Sequence, residues 1–161
     1  MKPDDLVVSR FGARYRGHFL PVSVGFGGIG RKWAEGDGVT PAGRWRVVAW
    51  FCRPGRMQGG QPIGPGMGWS EAPEDPAYNR AVRLPHPWPV DRMARPDPLY
   101  DLVGVLDYNT DPTIPGAGSA IFLHQWRAPR RPTAGCIAFS RTALRFIRET
   151  WRPGARVIVQ E

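Results

Sequence analysis

Two side chains in this sequence carry chemistry that their neighbours cannot supply. Cys136 ends the stretch Thr133-Ala134-Gly135-Cys136, and His124 closes the apolar run Ala120-Ile121-Phe122-Leu123 twelve residues earlier. A protonated thiol is a weak nucleophile, and a free cysteine, with a pKa of about 8.5, is mostly protonated at neutral pH. An imidazole within hydrogen-bond reach can take that proton, so the pair suits covalent acyl transfer. Gly135 lacks a Cβ, which lets a substrate carbonyl approach the backbone, and the amides around Gly135 and Cys136 offer an oxyanion site. Between base and nucleophile, Arg127, Arg130 and Arg131 supply cations that lower a thiol pKa and grip carboxylates. The bland reading stands beside this one. A cysteine in a strand is most often a small buried hydrophobe, and a lone histidine is most often structural.

For the pair to meet, Ala120–His124 and Cys136–Phe139 must be neighbouring strands joined by the loop between them. Other strands are expected at Arg44–Phe51, Leu102–Leu106 and Arg156–Val159, with a hairpin of Leu6–Val8 and His18–Val24 about Gly17. Ser140 is placed to cap a helix whose Leu144, Ile147 and Trp151 share one face, and Arg152-Pro153-Gly154 ends it. The glycine-rich Gly25–Gly30 stretch is followed by no amphipathic helix, which rules out a dinucleotide fingerprint. Ten of the 18 prolines lie between Pro54 and Pro98, interleaved with Trp69, Tyr78 and Trp88. Disordered linkers are poor in aromatics, so this reads as an ordered loop. Its stretch Pro62–Pro98 is expected to form one wall of the substrate cleft through Trp69, Tyr78, Asn79 and Trp88.

The 161 residues, 42% of them apolar, suffice for one domain spanning 1–161 with its own core. The expected class is mainly β, with one or two short helices and a long Pro-rich loop. The net charge of +8 rests almost wholly on arginine, since Lys2 and Lys32 are the only lysines. The arginines are scattered from Arg10 to Arg156, unlike the clustered footprint of a nucleic-acid binder. A non-catalytic module binding cell wall or nucleic acid is the competing class, and it would not need the His124, Gly135 and Cys136 set. Cys52 continues the apolar run before Arg53-Pro54-Gly55 and reads as core; a Cys52–Cys136 disulfide would disable the nucleophile. With two cysteines in no CxxC pair and three histidines, a structural zinc site is not expected. MKPDDLVVSR carries no long apolar run, so no signal peptide or spanning helix is read in this chain.

The segment IFLHQWRAPRRPTAGCIAFS resembles the catalytic motif of the YkuD-type L,D-transpeptidases: a histidine, a loop, then Ser/Thr-x-Gly-Cys. EGDGVTPAGRWRV is similar to that family's Gly-x-x-Thr-Pro-x-Gly-x-Phe segment, and GWSEAPEDPAYNRAVRLP, LYDLVGVLDYN and GSAIFLH resemble a short single-domain branch. The likeness runs from about Gly27 to Ile158. It departs where Ala134 stands for the usual His, Ala138 for an Arg or Asn, and Gln125 for a Gly or Ser; the His-to-Cys loop is also shorter. The resemblance implies a mixed β-sandwich in which Cys136 is the nucleophile and His124 the base, beside Gly135. Expected substrate contacts are Thr133, Ala134, Gln125, Trp126, Arg127 and Arg131 on the motif. Tyr108, Asn109, Tyr78, Asn79, Trp69 and Trp88 are expected to join them from elsewhere. It also implies action on peptidoglycan stem peptides through a thioester to an L-residue, without metal or cofactor, in the periplasm or cell envelope. The expected product is a 3,3 cross-link; 1,3 cross-links from an L-Ala donor, or L,D-carboxypeptidase or endopeptidase hydrolysis, are the alternatives. A monomer is expected, with no nucleic-acid partner and no membrane span.

Overall fold

The computed structural model describes residues 2–161. The strands are β1 (Leu6–Ser9), β2 (Gly12–Tyr15), β3 (His18–Leu20), β4 (Ile29–Gly30), β5 (Thr40–Pro41), β6 (Gly43–Cys52) and β7 (Gln61–Pro62). They continue with β8 (Met67–Ser70), β9 (Ala81–Arg83), β10 (Val90–Arg92), β11 (Leu102–Leu106), β12 (Phe122–Gln125), β13 (Ile137–Phe139) and β14 (Arg156–Val159). One helix, α1 (Arg141–Thr150), completes this mostly-β fold.

The main sheet runs β13-β12-β11-β6-β14-β1-β2-β3, with the short β7 against β6. The sheet curls until its edges meet. Leu20 ends β3 at one edge, and three residues on, Ser23 bridges Ala138 of β13 at the other. Three extended residues span at most about 10 Å. This closure leaves little open edge for other chains to pair with.

β11 is buried on both faces, and its alternation sorts two cores. Leu102 and Leu106 join Leu123, Ile137 and Phe139 inside the curl, sealed by Leu144 and Ile147 of α1. Val103 and Val105 face outward with Phe122 into a second core containing Trp69, Met93 and Tyr100. Cys136 packs against that second core. α1 starts where Ser140 Oγ accepts the Ala143 amide at 3.1 Å.

Two expectations are refined. The N-terminal hairpin is a three-strand meander, because Gly12–Tyr15 inserts β2 between β1 and β3. Pro21 has no amide to extend β3, and the chain crosses to the far edge there. The Pro-rich segment is not an irregular loop throughout. It carries a three-stranded sheet, β10-β8-β9, beside the second core. Its strands are three or four residues long, too short for their alternation to stand out among prolines.

Candidate active site

β12 and β13 are adjacent and parallel, with His124 opposite Ala138. The twelve-residue separation therefore spans a crossover that returns the chain to the start of β13. Phe122 packs into the second core, and the two-residue strand period puts His124 on that same face. The Cys136 side chain meets the same core from the start of β13. Both residues line one cavity of about 350 Å³.

His124 is 6% exposed. Its Nδ1 lies 2.7 Å from the Gln125 carbonyl, which can only accept, so Nδ1 carries the proton and Nε2 is left as a base. The Tyr100 ring meets the imidazole edge-on at 5.5 Å, and Tyr100 OH donates to Asp91 at 2.5 Å. Burial pushes His124 down to about 4, and Arg95 and Arg127 add to this by charge repulsion. Burial pushes the Cys136 thiol up to about 12, and Asp91 and Glu71 add to that by disfavouring the thiolate. At neutral pH the site thus holds a neutral thiol and a neutral imidazole. The Sγ–H donates to the Ala120 carbonyl at 3.0 Å, and Sγ accepts the Phe122 amide at 3.4 Å.

The turn before Cys136 is fixed from both sides. Thr133 Oγ1 donates to the Cys136 carbonyl at 2.6 Å and accepts the Gly135 amide at 3.1 Å. Thr40 Oγ1, fully buried, donates to the Gly135 carbonyl at 2.9 Å and accepts the Gly25 amide at 2.8 Å. Gly135 has φ +135°, and a Cβ there would lie 3.0 Å from the Val39 carbonyl oxygen. Glycine is required by this backbone approach inside the protein. The oxyanion expectation is corrected on one point: the Gly135 amide is committed to Thr133. The Ala134 and Cys136 amides donate to no protein group among the described residues.

Of the residues expected at the substrate, Trp126, Arg127, Arg131, Thr133 and Ala134 line the cavity with His124 and Cys136. Arg127 and Arg131 are exposed and form no ion pair among the described residues. Gln125 contributes its carbonyl to His124, while its Oε1 is buried without a partner. The expected wall from Pro62–Pro98 reaches the cavity only through Arg95, and its four named contributors sit elsewhere. Trp69 packs on Phe122 at 5.1 Å and donates its indole N–H to Asn79 Oδ1 at 3.0 Å. Asn79 is buried, and its Oδ1 also accepts the Ala120 amide at 2.9 Å. Its Nδ2 donates to the carbonyls of Tyr108 and Asn109 at 3.1 and 2.8 Å. Tyr78 OH donates to Glu35 and accepts the Gly118 amide, and Trp88 lies against His86. Tyr108 OH donates to the Ala117 carbonyl, and Asn109 brackets the Ile114–Gly118 turn. Apart from the exposed Trp88, these side chains hold the scaffold because their polar groups are already used within it.

Sequence reasoning passed over Phe26, Arg95, Leu99 and Tyr100 as lining and Thr40 as support. Thr40 stands in the Thr-Pro segment that carried the resemblance, and Tyr100 directly precedes Asp101 and the buried β11, so both lay beside visible signals.

A half-buried thiol, a neutral imidazole lining the same cavity, and arginines outside any ion pair among the described residues can together transfer an acyl group from a carboxylate-bearing substrate. The chain belongs to the family of YkuD L,D-transpeptidase catalytic domains, which it matches over residues 8–159. No curated protein matches it significantly. Among solved structures, an L,D-transpeptidase from Mycobacterium smegmatis aligns at 14% identity and a TM-score of 0.47. The alignment covers 97% of this chain and 58% of that protein. No helix among the described residues is long and apolar enough to cross a membrane.

Proposed function

We propose that the protein is a peptidoglycan L,D-transpeptidase acting in the cell envelope. The observation that carries this reading is one cavity lined by Cys136, by His124 with its Nε2 unprotonated, and by two arginines outside any ion pair among the described residues. Cys136 Sγ gives its proton to His124 Nε2 and bonds to the carbonyl carbon of an L-residue. The carbonyl oxygen gains the negative charge, and the unengaged Cys136 amide is the nearest backbone donor for it. As the tetrahedral centre collapses, the C–N bond breaks and the imidazolium protonates the departing nitrogen. A thioester remains. An acceptor amine then loses a proton to His124, attacks the thioester, and expels the sulfur, which is reprotonated.

A stem of L-Ala, D-Glu, a diamino acid and D-Ala offers two L-to-D bonds, after position three and after position one. The charges favour position one. The leaving nitrogen must lie beside His124 to be protonated, so the leaving group occupies the imidazole's side of the cavity. Arg127 follows three residues after His124, and its charge reaches the ring. A position-one cleavage sends the carboxylates of D-Glu and D-Ala to that side, with a third where the diamino acid carries a second carboxyl group, whereas position three sends one. Carboxylates and free guanidiniums form strong charge-assisted pairs. This reading yields 1,3 cross-links and departs from the 3,3 product that the resemblance alone implies. Intact mass of the acyl-enzyme tests it with a defined stem-peptide donor. An adduct ending at L-Ala supports position one, an adduct retaining the diamino acid supports position three, and no adduct on Cys136 rejects the transpeptidase reading.

A further inference from the structure

We infer that Phe26 is a platform for a sugar ring, making the cavity mouth a saccharide subsite for the glycan that carries the donor stem. This rests on the position-one reading above. Phe26 lines the cavity with Cys136 and His124, yet it is 66% exposed. Lone exposed apolar residues are ordinary; this one is held in place on three sides. Its amide donates to the Thr133 carbonyl at 2.9 Å, which ties it to the nucleophile turn. The next residue, Gly27, donates to the Gly38 carbonyl at 2.9 Å. One edge of the ring rests on Gly38, where a Cβ would come within 2.3 Å of the ring carbons. With φ +69° at Gly38 as well, the position takes glycine both for its backbone and for the ring above it.

The result is a flat apolar surface, fixed in orientation, with much of its area open beside the reacting sulfur. A rigid aromatic presents large contact area at little entropic cost. Its natural complement is a ring with an apolar C–H face and a polar rim, which describes a pyranose. Proximity supplies the reason for a sugar here. In a donor cleaved after L-Ala, the lactyl carbon of the muramic acid lies one amide away from the attacked residue, about 4 Å by Cα spacing. A donor cleaved after position three puts the sugar two residues further off. On this reading Arg127 and Arg131 hold the substrate's carboxylates and Phe26 holds the glycan, all at one cavity.

Two donors test this: a disaccharide-linked tetrapeptide and the same tetrapeptide without sugar, with thioester formation on Cys136 followed by intact mass. Phe26→Ala should slow acylation by the glycan-linked donor about tenfold more than acylation by the free peptide, and that difference should recover in Phe26→Tyr. An equal loss on both donors, or no loss, overturns the subsite. If the wild-type chain is acylated by neither donor, the transpeptidase reading fails and the subsite with it. A second measurement is independent of turnover. The disaccharide alone, titrated into Cys136→Ala, should shift the amide resonances of Phe26 and Gly38; unshifted resonances at saturating sugar reject the platform.

Discussion

Asn79→Ala should unfold much of this protein's stability margin without touching any residue that lines the cavity. Asn79 makes four hydrogen bonds from a buried position, and its own φ is +58°. Alanine removes them all. The Trp69 indole and the Ala120 amide become buried donors without acceptors, each costing about 1–3 kcal/mol. Alanine in the left-handed region adds about 1 kcal/mol more. The carbonyls of Tyr108 and Asn109 are half-buried, so water can replace part of what they lose. The sum is about 3–7 kcal/mol, against a total of about 5–15 kcal/mol for a typical domain. At this chain length that lowers Tm by about 10–20 °C. The assay is urea unfolding followed by tryptophan fluorescence, with Trp69→Phe and the double variant closing a cycle. Trp69→Phe alone should cost about 1 kcal/mol for the hydrogen bond, and the two losses should be less than additive. An Asn79→Ala variant of wild-type stability with a raised KM would refute this argument and return Asn79 to the substrate, where the sequence had placed it.

Other outcomes follow from the same geometry. Cys136→Ala should fold, with Tm within a few degrees of wild type, and form no acyl-enzyme; Cys52→Ala should keep full chemistry at a packing cost of about 1–3 kcal/mol, measured by thermal unfolding. Thr40→Val should slow thioester formation at least about tenfold, by releasing the Gly135 carbonyl and the Gly25 amide, and Thr40→Ser should restore it in single-turnover kinetics. The base must be neutral to act, so kcat/KM should fall only as the pH drops through about 4, and the limb in kcat should lie at higher pH. Iodoacetamide alkylation of Cys136 should climb about tenfold per pH unit up to pH 9; a plateau with a midpoint between 5 and 8 would contradict the neutral pair. His124 is held below its unfolded value, so its neutral burial stabilises the fold fully above about pH 6.5, and that contribution is lost as pH falls toward about 4.

Long apolar runs were legible in the sequence because burial on both faces leaves a continuous signal. Leu102–Leu106 and Arg156–Val159 are strands over the residues expected, and Ser140 caps α1 as its hydroxyl suggested. β2 was hidden because four residues containing Gly12 and Arg14 show too little alternation to register. The short strands of the Pro-rich segment escaped for the same reason. At the site, the meeting of His124, Cys136 and the arginine loop at one cavity was legible because their types and spacing fall within one continuous stretch. Other residues expected at the substrate lie away from the cavity. Trp69, Tyr78 and Asn79 looked like substrate contacts because large polar aromatics in a long segment suggest a cleft wall. A sequence does not state whether an indole N–H or a carboxamide already has its partners, and here long-range contacts to Ala120, Tyr108 and Glu35 satisfy them. Phe26 went unnoticed for the converse reason: its place at the cavity depends on a bridge between Gly25 and Thr133, more than a hundred residues apart.

The electrostatics of the cavity link substrate binding to base strength. Empty, His124 is a poor proton acceptor, because burial and the nearby charges of Arg95 and Arg127 all oppose the imidazolium. Arg95 is paired with Asp97 at 2.7 Å and lies 3.7 Å from Asp91, and the Asp97 charge offsets part of the arginines' repulsion at the ring. Arg127 forms no ion pair among the described residues, and its charge acts on Asp97 as well as on the ring. A substrate carboxylate seated on Arg127 neutralises that charge and adds a negative one near the imidazole, and both changes favour taking the proton from Cys136. The same carboxylate belongs to the leaving group, so it stays in place until the nitrogen has been protonated and departs with it. The imidazole then returns to its weakly basic state while the thioester waits, which slows activation of stray water. An acceptor amine flanked by its own carboxylate restores the pairing and with it the base. On the proposed reaction, the cations beside the neutral pair make its activation depend on a carboxylate-bearing partner, for the donor in the first half and for the acceptor in the second.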